Sequence, residues 1–244
     1  MKCLILAAGY ATRLYPLTEN FPKPLLKVGS KTILDWLTDD IRATGAVDGF
    51  VVISNGKFAA HFEEWAAAFN DIEVVNDGTF TNETRLGAVK DIVFAKEKLG
   101  IDDDLLVIAG DNVLDFSLSH FIDFCREKKT SCTMRYYEPS IEKLRKCGVL
   151  TVGDDGRILR MAEKPAEPES HFCCPPFYYY TAADSALLGD AIADGCGTDA
   201  PGSLVAWMSA HRPVYSMEMP GSRYDIGNLE SYKKVCGEYK GITR

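Results

Sequence analysis

Along the first half of the chain, short and largely apolar runs alternate with segments in which apolar residues return every three or four positions. Residues 3–7, 50–54, 72–75 and 105–109 form the short runs, each closed by glycine, asparagine or other polar residues, which predicts strands. Residues 32–43, 58–69 and 83–99 carry the helical spacing. Strand and helix taking turns is the βαβ rhythm, so the expected fold class is α/β, a Rossmann-like, mainly parallel sheet flanked by helices. The rhythm changes after Phe116. Residues 131–137, 147–152 and 157–163 read as shorter strands, and Gly153-Asp154-Asp155-Gly156 between the last two is a hairpin signal. Tyr178-Tyr179-Tyr180 reads as a strand with alternating faces. Helices are expected over 181–193, 203–210 and 228–239, a strand over 213–217, and a surface loop over 165–170. The expectation is one domain spanning 1–244, with halves of about 1–115 and 116–244, and with a smaller β-rich part in the second.

Composition narrows the classes. Of 244 residues 46% are hydrophobic and 25% charged, the balance of a globular chain with a sizeable core. A formal net charge of −8 argues against a nucleic-acid or anionic-membrane surface, although it leaves room for an anionic small substrate held by local cations. No run approaches the roughly 20 apolar residues that span a bilayer. Only Lys2 precedes the first apolar run, which continues into Gly9 and so reads as a strand, not a signal peptide. Eight cysteines show no C-x-x-C spacing, so reduced thiols and a cytoplasmic setting are expected. His61, His120, His171 and His211 share no motif, and Asp102-Asp103-Asp104 reads as a solvated loop.

The candidate chemistry sits where strands end. Leu6-Ala7-Ala8-Gly9-Tyr10-Ala11-Thr12-Arg13-Leu14 runs from the first strand into a glycine loop, followed by Pro22-Lys23-Pro24-Leu25. Small residues admit phosphates close to backbone N–H groups, while Arg13 and Lys23 supply charge the backbone lacks. Gly9 stands alone, so neither the P-loop nor the G-x-G-x-x-G fingerprint fits; with Ser54-Asn55 in place of an acidic residue closing the second strand, a dinucleotide-dependent dehydrogenase ranks lowest. Asp111 ends the strand at 105–109, Glu163-Lys164-Pro165 ends the strand at 157–163, and Asp225 lies in Tyr224-Asp225-Ile226-Gly227. Two aspartates at strand ends have the ligand chemistry of a shared Mg²⁺, which takes oxygen ligands and keeps several waters. The plainer alternatives are that Asp111 forms a turn or caps a helix, that Asp225 caps the last helix, and that Glu163 and Lys164 are an exposed ion pair.

Taken in order, these five stretches resemble the sugar-1-phosphate nucleotidyltransferases, the glucose-1-phosphate thymidylyltransferase-like branch in particular. The resemblance implies a nucleoside triphosphate held by Leu6, Ala7, Ala8, Gly9, Tyr10, Ala11 and Thr12, with Arg13 on the departing pyrophosphate and Lys23 on the α-phosphate. It implies Mg²⁺ on Asp111 and Asp225, and a sugar 1-phosphate held in the second half by Lys164 and Glu163, with Asn112, Gly148 and Tyr178 beside it. Asn82, five residues before Gly87, takes the place of a base-reading glutamine, so thymine, uracil and cytosine all stay open. Thr81-Asn82-Glu83 is also similar to a segment of cytidylyltransferases acting on phosphocholine or a phosphonate, for which a tyrosine cage would be the mark. A non-catalytic nucleotide or sugar-phosphate sensor is the reading from another class. Ala11 replaces a usual glycine, so either its φ is negative or the loop is repositioned. The implied partners are small molecules, with neither nucleic acid nor membrane, and a homo-oligomer is left open.

Overall fold

The computed structural model describes residues 1–243, which group by contact into two units, each built from separate stretches of chain. Met1–Arg85, Ala109–His120 and the residues from Pro220 make the first, while Leu86–Ile108 and Phe121–Met219 make the second. Residues 86–108 and those from 220 therefore lie on the other side of a simple linear division near 115.

In the first unit the strands Lys2–Leu6, Phe50–Ser54 and Ile72–Asn76 pair in parallel, with Leu4 opposite Val51 and Val52 opposite Val74. All five residues of Phe50–Ser54 are buried, as a parallel strand between two neighbours and under helices requires. The helices Ile33–Ala43 and Ala59–Ala66 make the crossovers. Ile33–Ala43 starts on a capping box between Thr32 and Asp35, and it buries Ile33, Leu34, Leu37 and Ile41 along one face. Two short antiparallel ladders complete this unit, Lys27–Val28 with Lys31–Thr32 and Val113–Leu114 with Arg223–Tyr224.

Antiparallel pairing governs the second unit, where the alternation changes. Leu105–Ala109 pairs with Phe177–Tyr180, which pairs with Cys132–Tyr137; Phe172–Cys174, Gly148–Val152 and Ile158–Glu163 follow outward. Tyr215–Glu218 joins Cys132–Tyr137 in parallel. The helix Gly202–His211 packs on Ile158–Glu163. Tyr178 and Tyr180 stack on one face with Tyr179 on the other, and all three are buried. Among the described residues no helix is long and apolar enough to cross a membrane.

Three local differences from the sequence reading have physical causes. The helix expected over 83–99 begins at Ala88, because Gly87 has φ +91° and breaks the helical path. The stretch 181–193 divides into Ala182–Ser185, capped by Thr181, and Leu188–Ala193. Asp104 is not a merely solvated loop residue: its carboxylate accepts from the Tyr179 hydroxyl at 2.6 Å and from the Ala182 N–H at 2.7 Å.

Candidate active site

The glycine loop is pinned from behind. Ala7 N–H donates to Ile53 O at 2.9 Å, and the Asn55 amide donates to Ala8 O at 2.9 Å. Leu6 O accepts from Gly110 N–H at 2.9 Å, tying the loop's start to the turn that carries Asp111. Gly9 is exposed, with no atom within 4 Å of where a Cβ would stand, so a ligand can approach its backbone freely. Tyr10 is buried; burial and the carboxylates of Asp77 and Glu83 hold its hydroxyl above the ordinary value, with Thr79 pulling the other way. Ala11 sits in the left-handed region at φ 45°, ψ 41°, which removes the negative φ from the two alternatives. Its carbonyl accepts from Thr18 Oγ1 at 2.8 Å and from Leu14 N–H at 2.9 Å, bonds that fix the strained conformation. Thr12 and Arg13 follow, both exposed, on the single helical turn Thr12–Leu14.

Lys23 opens a second helical turn between Pro22 and Pro24, a context in which two fixed φ angles hold the backbone before any side chain acts. Its side chain is 10% exposed, and Nζ donates to Asp111 Oδ2 at 2.8 Å. Crowding by protein opposes ionisation of Asp111, yet the charge and hydrogen bond of Lys23, aided by Arg223, hold its carboxyl below the usual carboxylate range. Asn112 is buried; its amide donates to Ala109 O at 2.7 Å and its oxygen accepts from Arg223 at 3.2 Å. Tyr224 pairs with Val113, and Asp225 and Asn112 are the residues that adjoin this last pair in the chain. Asp225 is exposed, and the last helix is capped by Asn228 with Ser231, which removes the helix-cap explanation.

Asp111, its charge held by Lys23, and the exposed Asp225 are both carboxylates, the hard oxygen donors that Mg²⁺ takes together with phosphate oxygens and water. Among the described residues no group of three or more His, Cys, Asp or Glu gathers as a denser metal site. Asn82 is exposed, and both its carbonyl and its side-chain oxygen accept from Arg85 Nη1, at 3.0 and 3.1 Å.

The second unit holds a separate cluster. Glu163 ends its strand with its carboxylate close to two glycines: a Cβ at Gly148 or at Gly202 would stand 3.0 Å from Oε2 and 2.5 Å from Met161 Cε. The same point at Gly202 is 3.8 Å from the Tyr178 hydroxyl. Burial raises the Glu163 carboxyl, with Lys164 opposing and Asp199 adding to the rise. Lys164 has φ 47°, and its N–H donates to Cys147 O at 2.9 Å. Its Nζ lies 4.0 Å from Glu163 Oε1 and its side chain is half exposed, so the ion pair is loose and the ammonium stays available. Gly87 is required by conformation and by space, since a Cβ there would stand 2.5 Å from Thr198 O.

The structure brings Lys23 to Asp111, and Glu163 to Gly148. Sequence reasoning missed Asn55, Arg223 and Gly202, whose places depend on strand register and helix packing; Arg223, two residues before the motif aspartate, left the only linear signal.

Residues 2–240 match the sequence model of the family described as nucleotidyl transferase. The chain is 28% identical over 183 residues to the UTP–glucose-1-phosphate uridylyltransferase AglF of Haloferax volcanii, covering 75% of this chain and 73% of that one. It is 27% identical over 248 residues to a glucose-1-phosphate thymidylyltransferase of Streptomyces griseus, covering 96% and 65%. A UTP–glucose-1-phosphate uridylyltransferase of Synechocystis sp. is 26% identical over 240 residues, at 95% and 61%. In structure, a UDP-glucose pyrophosphorylase crystallised with UDP-glucose superposes with a TM-score of 0.81 at 19% identity, covering 98% of this chain and 97% of that one. The apo form of a UDP-glucose pyrophosphorylase gives 0.82 at 18% identity and the same coverage. Both establish likeness of fold.

Proposed function

From the premise that the chain belongs to the nucleotidyl transferase family, we propose that it moves a nucleotidyl group from a nucleoside triphosphate to a sugar 1-phosphate, releasing pyrophosphate. The observation that carries this reading is the Lys23–Asp111 pair, a desolvated ammonium and an ionised carboxylate in the unit that also holds the open glycine loop.

The reaction forms a bond from a sugar-phosphate oxygen to the α-phosphorus and breaks the bond from that phosphorus to the β-phosphate bridging oxygen. A phosphate monoester is already a competent nucleophile at neutral pH, so the chain has no proton to remove. Its task is positioning and charge neutralisation. The N–H groups around Gly9 and the Arg13 guanidinium take up charge on the departing pyrophosphate. Lys23 stabilises the α-phosphate as negative charge builds there. Lys164 binds the phosphate of the acceptor, and Glu163 accepts hydrogen bonds from sugar hydroxyls, with Gly148 and Gly202 letting its carboxylate and Met161 pack against their backbones. Mg²⁺ held by Asp111 and Asp225 would neutralise phosphate oxygens and fix their orientation.

The names of the relatives make UTP or dTTP with glucose 1-phosphate the first pair to assay. The phosphocholine alternative is disfavoured because Tyr178, Tyr179 and Tyr180 are buried strand residues and form no open cage for a quaternary ammonium. Pyrophosphate release from UTP, dTTP, CTP, ATP and GTP, each with glucose 1-phosphate and with phosphocholine, tests the proposal. Turnover is expected with a sugar phosphate. Turnover with phosphocholine alone, or binding of nucleotide without any turnover, would replace it by the cytidylyltransferase or the sensor.

A further inference from the structure

The glycine loop offers phosphate contacts but no open aromatic face, because Tyr10 is buried. An aromatic face is present on the segment that packs beside it. Phe80 is 65% exposed, the highest value of any large hydrophobic side chain among the described residues. This exposure is not looseness of the chain. Thr79 O accepts from Gly56 N–H at 2.6 Å, and Thr79 N–H and Oγ1 donate to Asp77 Oδ1 at 2.7 and 2.9 Å. A Cβ at Gly56 would stand 2.6 Å from Phe80 Cζ and 2.9 Å from both Cε carbons. Distances so nearly equal place that point above the ring face, since a point in the ring plane beyond Cζ would be markedly farther from both Cε atoms. The ring thus lies with one face on the backbone of Gly56, and its exposure leaves the other face to solvent.

The connection to the phosphate loop is direct: Asn55 holds Ala8 O with its side chain, and its neighbour Gly56 carries the ring. Two residues beyond Phe80, the Asn82 oxygen is engaged by Arg85, which leaves the amide N–H₂ to donate. We propose that Phe80 is a stacking platform for the base of the nucleoside triphosphate, seated on Gly56. The proposal rests on the nucleotide-binding part of the reading above and names a residue that reading does not use.

Titration calorimetry with UTP, CTP and ATP, and with inorganic tripolyphosphate as a base-free probe, tests it on wild type, Phe80→Ala, Phe80→Trp and Gly56→Ala. Stacking on an aromatic side chain is tolerant of base identity, so Phe80→Ala is expected to weaken all three nucleotides by roughly 5- to 150-fold. Tripolyphosphate affinity and the melting temperature stay unchanged, and Phe80→Trp keeps nucleotide affinity. Gly56→Ala weakens nucleotides in the same direction, because its methyl displaces the ring while the backbone there is ordinary. Unchanged nucleotide affinity in Phe80→Ala, or an equal loss of tripolyphosphate, overturns the platform. Binding that follows this pattern without pyrophosphate release in the presence of any acceptor would sink the proposed reaction and leave the platform standing.

Discussion

The Lys23–Asp111 pair is lopsided, and its two halves fail differently when cut. The lysine side chain is 10% exposed and the aspartate side chain 45%. Replacing Lys23 by methionine keeps most of the apolar stem and leaves behind a carboxylate that water and Arg223 still serve, at a cost of less than about 1 kcal/mol. Replacing Asp111 by alanine strands a desolvated ammonium, and an unsatisfied buried donor costs about 1–3 kcal/mol. The double substitution removes both charges, so it should be less destabilising than the sum, with a coupling of about 1–2 kcal/mol. The larger penalty of a fully buried pair does not apply, because the aspartate is half solvated. Urea unfolding of the four proteins measures the stabilities, and pyrophosphate release measures turnover, which each single variant should lower by about 10²- to 10³-fold. Lys23→Met proving costlier to stability than Asp111→Ala, or strictly additive losses, would refute the reasoning.

Ala11→Gly relieves a left-handed residue worth about 1–2 kcal/mol against about 0.5–1 kcal/mol for the freer unfolded chain. A net gain of about 0.5–1 kcal/mol, a few degrees at most in melting temperature, is expected with activity retained; a lower melting temperature contradicts it. Glu163 has a folded pKa raised by burial, so stability is lost as pH rises from the unfolded carboxyl value through the folded one. Glu163→Gln should therefore melt at or above wild type at pH 7, with the gap closing as pH falls toward about 4.3 and absent below it, where both states are protonated. The same variant should raise KM for the sugar phosphate roughly 10- to 100-fold, the loss of a charge-assisted hydrogen bond, and an unchanged KM would remove Glu163 from the site. Chelation by EDTA should abolish turnover without moving the melting temperature, and Mg²⁺ should restore it; full activity in EDTA would exclude the metal.

What the sequence disclosed and what it withheld follow from where the information lies. The run at 50–54 is legible because a strand covered on all sides is apolar at nearly every position. Gly9 and Asp111 stand just past the ends of such runs, whereas Lys23 is marked by the prolines on either side of it and Glu163 by its place at the end of a half-exposed strand. Phe172–Cys174 has three residues, two of them only partly buried, so periodicity has nothing to repeat. The beginning of the helix at Ala88 was misplaced, though Gly87 stood there as a signal, because the polar residues 83–86 suit a helix surface as well as a loop. Gly202 reaches Glu163 only through packing of its helix on the strand 158–163, and Phe80 stands on Gly56 through the register of neighbouring strands. Neither juxtaposition has a linear trace.

A ladder of two residues on each side, Val113–Leu114 with Arg223–Tyr224, ties the stretch after Asp111 to the stretch before Asp225 across more than a hundred positions of chain. During synthesis, then, the glycine loop and Lys23 emerge long before the strand that pairs with Val113–Leu114. This small clasp cannot close until the ribosome has passed residue 224.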